Sequence, residues 1–285
     1  MSDSTILTPA GGFTAAVAGP TGGPLVLLLH GYPQTRHTWR HQVPALGAAG
    51  YRAVAPDQRG YSAGVRPDPA QDLAAYGIDH LVQDVLDLAD AVGPKGRPFH
   101  LVGHDWGGHV SWVAAHRHPE RIRSLAILSR PHPAAFRRAF RENADDQQHR
   151  SRHHRLFHDP TTGPKLLEDG AGRLRTRLAE QGVPDAAVAE YVSVLGDPAA
   201  IEAALAWYRV AGALTAVEVG PVALPTLYVW GDRDATVGPT AARYTADHVT
   251  GPFRLEVVPS VGHFLTDEAP ETVTRLLLSH LGAEG

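Results

Sequence analysis

Six short apolar runs, each ending in turn residues, constrain the fold of this chain more than any other feature. Residues 25–29 run into His30-Gly31, 51–55 into Pro56-Asp57, 99–102 into Gly103, and 124–128 into Ser129. Later, 226–230 run into Gly231-Asp232, and 253–258 into Pro259. Continuous apolar runs of this length suit strands buried on both faces of a parallel sheet. Between them, residues 78–92 place Leu81, Val85, Leu88 and Val92 at helical spacing. Residues 270–281 do the same with Val273, Leu276, Leu277 and Leu281. The alternation predicts an α/β architecture with a mostly parallel, doubly wound sheet, and ligands bound beyond the carboxyl ends of its strands. The rhythm breaks at about 131–219, where charged helical stretches at 136–155, 164–181 and 198–211 replace strands. We expect a helical cap over 131–219, inserted into a core formed by 1–130 and 220–285.

A chain of 285 residues suits one large domain, or a core with an inserted lid. With 43% hydrophobic and 20% charged residues it has the composition of a globular protein, and a net charge of −4 argues against nucleic acid or an anionic membrane as partner. The absence of cysteine excludes disulfides and thiolate metal sites. The first ten residues lack the basic segment and apolar core of a signal peptide, and 25–29 is too short to span a bilayer. The expected location is the cytoplasm and the expected partner a small molecule. A homodimer is the one assembly considered.

Residues Gly103-His104-Asp105-Trp106-Gly107-Gly108 lie where the 99–102 run gives way to the helix-like segment 110–115. Gly-x-nucleophile-x-Gly between a strand and a helix is the elbow pattern, here with aspartate where serine is usual. So tight a turn needs small neighbours, which accounts for Gly103 and Gly107. A carboxylate attacks without first losing a proton, and it forms an alkyl ester where serine would form an acyl ester. A glycine-rich turn whose aspartate caps the following helix fits the same six residues. On these residues alone both readings stand.

Companion motifs separate them. His30-Gly31-Tyr32-Pro33, Asp57-Gln58-Arg59-Gly60-Tyr61, the elbow, Gly231-Asp232-Arg233-Asp234 and Gly262-His263-Phe264 occur in that order. In these the chain resembles the α/β-hydrolase fold family over nearly its whole length, and within it the epoxide hydrolase and haloalkane dehalogenase branch. The resemblance implies a cofactor-independent hydrolase in which Asp105 attacks an sp3 carbon and His263 activates the water that cleaves the ester. Asp234 would orient His263. Gly-x-x-Asp is the family spacing, and Asp232 is the competing acid. The backbone N–H groups of Tyr32 and Trp106 would hold the oxyanion, while the Tyr32 ring, Trp106 and Trp207 would contact substrate. Gly31 would permit the turn and His30 brace the loop.

The leaving group is set by the cap. Epoxide hydrolases of this branch use two lid tyrosines as proton donors. Ala206-Trp207-Tyr208-Arg209 resembles the segment carrying the later one, which makes Tyr208 the donor candidate. The earlier tyrosine is missing, and His153 falls near its position in the 151–160 stretch. An imidazole N–H could serve there, and Tyr191 is the remaining lid tyrosine. The expected reaction converts an apolar epoxide to a vicinal diol. The alternative is a haloalkane dehalogenase-like hydrolase using the same triad, since Trp106 fits either. Fluoroacetate dehalogenases resemble the chain at residues 30–34 but carry arginines just after the nucleophile, where this chain has Trp106-Gly107-Gly108-His109. A third reading is a ligand-binding protein without activity, because a fold does not fix function. His149/His153 and His154/His158 have the i, i+4 spacing of paired metal ligands. Arg150, Arg152 and Arg155 would repel a cation, so this stretch reads as a solvated basic face, as do Arg137, Arg138 and Arg141.

Overall fold

A computed structural model describes residues 2–211 and 217–282. Strands β1 (Ser2–Thr8), β2 (Gly11–Ala18), β3 (Leu25–Leu29), β4 (Arg52–Pro56), β5 (Phe99–His104), β6 (Ile122–Leu128), β7 (Thr226–Gly231) and β8 (Phe253–Val258) form one sheet. Their order is β1-β2-β4-β3-β5-β6-β7-β8, with β3 to β8 parallel and β1 and β2 antiparallel to their neighbours. In chain order the helices are α1 (Gln42–Ala48), α2 (Ile78–Val92) and α3 (Trp106–Arg117), then α4 (Pro133–Glu142), α5 (Gln147–Arg150) and α6 (His153–His158). They continue with α7 (Thr162–Ala179), α8 (Asp185–Leu195), α9 (Pro198–Ala211), α10 (Pro239–Tyr244), α11 (Leu265–Glu268) and α12 (Pro270–Gly282).

Side chains alternate faces along a strand, and β3 shows the consequence. Leu25, Leu27 and Leu29 join the core that holds Leu81 and Val85 of α2 and Val110 and Val113 of α3. Val26 and Leu28 join the opposite core, with Val43 and Leu46 of α1 and Val273 and Leu277 of α12. A strand covered on both faces has no polar position left, hence the unbroken apolar run. The sheet edges depart from that logic. In β1 Ile6 is buried while Leu7 is 77% exposed, so no apolar run announces the strand. At the other edge β8, expected as an apolar run, carries Arg254 and Glu256 among its apolar residues and is only partly covered, with Val257 50% exposed.

Between β6 and β7 the described residues contain no strand. The helix expected over 136–155 is three pieces, because Asn143, Asp145 and Asp146 take left-handed backbone, which Asn and Asp tolerate better than most residues. Asp169, Gly170 and Ala171 break α7 in the same way, and α8 was not anticipated. Helix α4 packs on α10 of the core, whereas α6 to α9 pack on one another. Within the ranges expected for core and cap, residues 1, 212–216 and 283–285 lie outside the described residues. No helix among the described residues is long and apolar enough to cross a membrane.

Candidate active site

The turn after β5 is built by close backbone approach. Asp105 sits at φ 48°, ψ −115°, in the positive-φ region that most residues avoid. A Cβ on Gly107 would lie 2.3 Å from the Leu29 carbonyl oxygen, and one on Gly103 would lie 2.5 Å from the Gly107 carbonyl oxygen. A Cβ on Gly31 would meet the Asp105 Cβ at 2.4 Å. All three positions therefore require glycine on steric grounds. The Asp105 side chain makes no capping bond to α3. Its Oδ1 instead accepts the Tyr32 backbone N–H at 3.0 Å, across the gap between the loops after β3 and β5. Trp106 opens α3, so its amide is among those without an intrahelical acceptor.

The loops after β7 and β8 complete the group. His263 Nε2 lies 3.7 Å from Asp105 Oδ2, and its Nδ1 lies 2.9 Å from Asp234 Oδ2. Asp234 is fully buried and accepts backbone N–H bonds from Thr236 (2.7 Å) and Val237 (3.0 Å). The Thr236 hydroxyl reaches both Asp234 Oδ1 and His263 Nδ1 at 2.7 Å. Sequence reading missed Thr236, although an Asp-x-Thr turn after a strand is a local signal for such a bond. Asp232, the competing acid, is exposed and accepts from the Ser260 N–H at 2.6 Å. His104 donates Nε2–H to the His263 carbonyl at 2.8 Å and so braces that loop.

Burial opposes a charged His263, but Asp234 and Asp105 outweigh it and hold the imidazolium up to about 10. Burial likewise opposes the Asp105 carboxylate, and the charge of the nearby His263 overcomes it, with Arg130 adding its field. Asp105 therefore lies well below the usual carboxylate range. Arg130 also escaped the sequence reading. It is buried, its Cζ stands 6.0 Å from the Trp106 ring centroid, and among the described residues no carboxylate pairs with it.

A cavity of about 30 Å³ separates these loops from the helices above. Tyr32, Asp105, Thr236 and His263 line its core side, and His153, Phe157, Arg177, Gln181 and Tyr208 its helical side. This is room for about two waters, so a larger ligand must displace side chains of the helical layer. Tyr208 is buried, with ring contacts to Tyr32 (5.6 Å), Trp106 (5.1 Å) and Phe157 (4.7 Å). Burial first, then the Asp105 charge, pushes its phenol well above the ordinary value. Among the described residues the buried Tyr32 hydroxyl has no hydrogen-bond partner, and burial raises it.

Other candidates are placed differently. Trp207 lies off the cavity lining, its indole N–H held by the Arg59 carbonyl at 3.1 Å, and Trp106 packs between it and Tyr208. Tyr191 donates to the Asp267 carboxylate at 2.9 Å, away from the lining residues. His153 lines the cavity with Nδ1 bonded to the Arg150 carbonyl at 3.1 Å, and burial depresses it to about 4. His149 and His158 are exposed, as a solvated face requires, but His154 turns inward to 5.0 Å from Tyr208. Among the described residues no cluster of three His, Cys, Asp or Glu side chains gathers in metal-binding geometry.

Residues 24–270 match the family model of the alpha/beta hydrolase fold. The chain belongs to this family, and it is a hydrolase of the epoxide hydrolase-like kind. It is 32% identical to epoxide hydrolase A of Mycobacterium tuberculosis, over 93% of this chain and 92% of that one. It is 31% identical to epoxide hydrolase 3 of Xenopus tropicalis, over 94% and 74%. The crystal structure of Bacillus megaterium epoxide hydrolase in complex with an inhibitor superposes with a TM-score of 0.88, at 25% identity over 98% of this chain and all of that one.

Proposed function

We propose that this hydrolase opens an epoxide to a vicinal diol through an alkyl ester on Asp105, with 131–219 serving as the cap. The observation that carries the reading is the buried Asp105–His263–Asp234 relay, in which the first carboxylate is ionised and faces the cavity. In the first step an Asp105 oxygen bonds to an epoxide carbon, the ring C–O bond breaks, and the alkoxide takes a proton from a phenol. Tyr208 is one donor. The Tyr32 hydroxyl is the other, because it is buried on the same cavity with no competing partner among the described residues. His153 does not fill that role: neutral imidazole has one N–H, and His153 spends it on the Arg150 carbonyl, leaving Nε2 as an acceptor.

Esterification removes the charge by which Asp105 supports the His263 imidazolium at 3.7 Å. His263 then releases its proton, which balances the one the phenol gave, and becomes the base for the second step. It takes a proton from water as that water attacks the ester carbonyl. The backbone N–H groups of Tyr32 and Trp106 stabilise the tetrahedral oxyanion. Collapse expels the diol oxygen, which His263 protonates. Trp106 lies off the cavity lining, its ring packed edge-on against Tyr208 at 5.1 Å.

A single turnover of styrene oxide in ¹⁸O-water tests the reading. The first-turnover diol is expected to carry unlabelled oxygen from Asp105, with label appearing in the enzyme. Diol labelled in that turnover would contradict the ester, and no diol from any of a panel of aryl and alkyl epoxides would contradict the activity.

A further inference from the structure

We propose, on the basis of that reading, that the substrate carries a carboxylate, remote from the oxirane, that is bound by Arg177. This departs from the apolar epoxide expected from the sequence. Arg177 lies on α7 and lines the same cavity as Asp105 and His263. It is half-buried, and among the described residues no carboxylate pairs with it. Its neighbours show what pairing looks like here. Arg173, one turn earlier, bonds Glu168 at 3.2 Å, and Arg209 on α9 bonds Glu202 at 2.6 Å. Glu202, the acid whose field reaches Tyr32, gives its Oε2 to Arg209 and makes no ion pair with Arg177 among the described residues.

The Arg177 charge is felt inside the cavity, where it favours ionisation of Tyr32 and opposes protonation of His153. A guanidinium drawn out of water toward a closed cavity loses hydration that only an anion restores in full. Asp105 does not supply that anion, being matched to His263. Gln181, one turn after Arg177, lines the same cavity and bonds the Arg177 carbonyl through one amide N–H at 3.2 Å. Its second amide hydrogen can meet the same carboxylate.

Aromatic contacts run between the two charges. The Tyr32 N–H touches Asp105, the Tyr32 ring centroid lies 5.1 Å from that of Phe157, and the Arg177 Cζ stands 5.5 Å over the Phe157 ring. Asp105 and Arg177 thus face one cavity, with the Tyr32 and Phe157 rings along the wall between them.

The bland alternative is an arginine whose stem covers Phe157 while its head reaches water. Comparing kcat/KM for 4-(oxiran-2-yl)benzoate and for styrene oxide, in wild type, R177K and R177M, separates the two. A charge-assisted pair predicts a wild-type preference for the carboxylate of about 10- to 100-fold, expressed in KM. R177M is expected to bring the ratio to about one, and R177K to keep part of it. A wild-type ratio near one, a ratio that survives R177M, or an equal loss on both substrates would overturn the role of Arg177 while leaving the epoxide reading intact. If wild type turns over neither epoxide, both fall together.

Discussion

Asp105→Ala is expected to abolish turnover without any covalent intermediate, whereas His263→Gln is expected to stop after one equivalent of alkylation. The two residues act in different steps, so their losses differ in kind. Without Asp105 nothing attacks the epoxide carbon, and kcat should fall by about 10⁴- to 10⁶-fold, the range seen when a member of a catalytic unit is removed. Without His263 the attack still occurs, since Tyr32 holds Asp105 Oδ1 at 3.0 Å, but no base activates water. Rapid-quench kinetics would show a stoichiometric burst in His263→Gln and none in Asp105→Ala. In wild type, pH should separate the steps as well. While Asp105 is ionised, His263 is held up to about 10; once Asp105 is an ester, burial and Asp234 alone remain, and the histidine falls below that value. Ester hydrolysis is therefore expected to speed up with pH until that lowered value is passed. Alkylation should stay level across the same range, because Asp105 is ionised throughout. Identical pH profiles for the two steps would contradict the assignment.

Thermal stability is expected to collapse between about pH 6.5 and pH 5, because the core holds histidines whose charged form burial opposes. Burial depresses His100, His104 and His280 to about 4 each, and His109 and His132 to about 3. Each is a base whose folded value lies below its unfolded value of about 6.5. Such a group contributes stability that is present above the unfolded value and lost as pH falls toward the folded one. Each costs about 1.4 kcal/mol per pH unit in that window, so the five together cost about 7 kcal/mol per unit, against a usual net stability of about 5–15 kcal/mol. His263 does not offset this. Its value is raised, so its contribution is complete below about 6.5 and is lost only as pH rises through about 10. Melting followed by circular dichroism from pH 7.5 to 4.5 should show a steep fall with an acid midpoint near pH 5. A melting temperature that stays level from pH 7 to pH 5 would contradict neutral burial of these histidines.

Much of the site is legible in the sequence because backbone approach writes itself into glycine positions. Gly31, Gly103 and Gly107 must lack a Cβ for β3, Asp105 and α3 to meet, and their offsets survive any change in surrounding side chains. The central strands are legible because burial on both faces leaves only apolar residues. Where a face is open, as in β1, that signal disappears. The helical segment is harder for a related reason: left-handed residues at Asn143, Asp145 and Asp146 interrupt it without disturbing hydrophobic periodicity. Arg177 and Gln181 come to the cavity through the docking of α7 over the core, and no local pattern distinguishes them from the charged residues around them. Tyr32 was legible for its backbone but not for its hydroxyl, whose importance depends on what lies opposite.

The Asp105 ester is tested most directly by the intact mass of His263→Gln after exposure to styrene oxide, other epoxides and haloalkanes, followed by peptide mapping. The expected result is a gain of one epoxide mass, located on the peptide that contains Asp105. No adduct on Asp105 with any of these electrophiles, from a variant that remains folded, would contradict it.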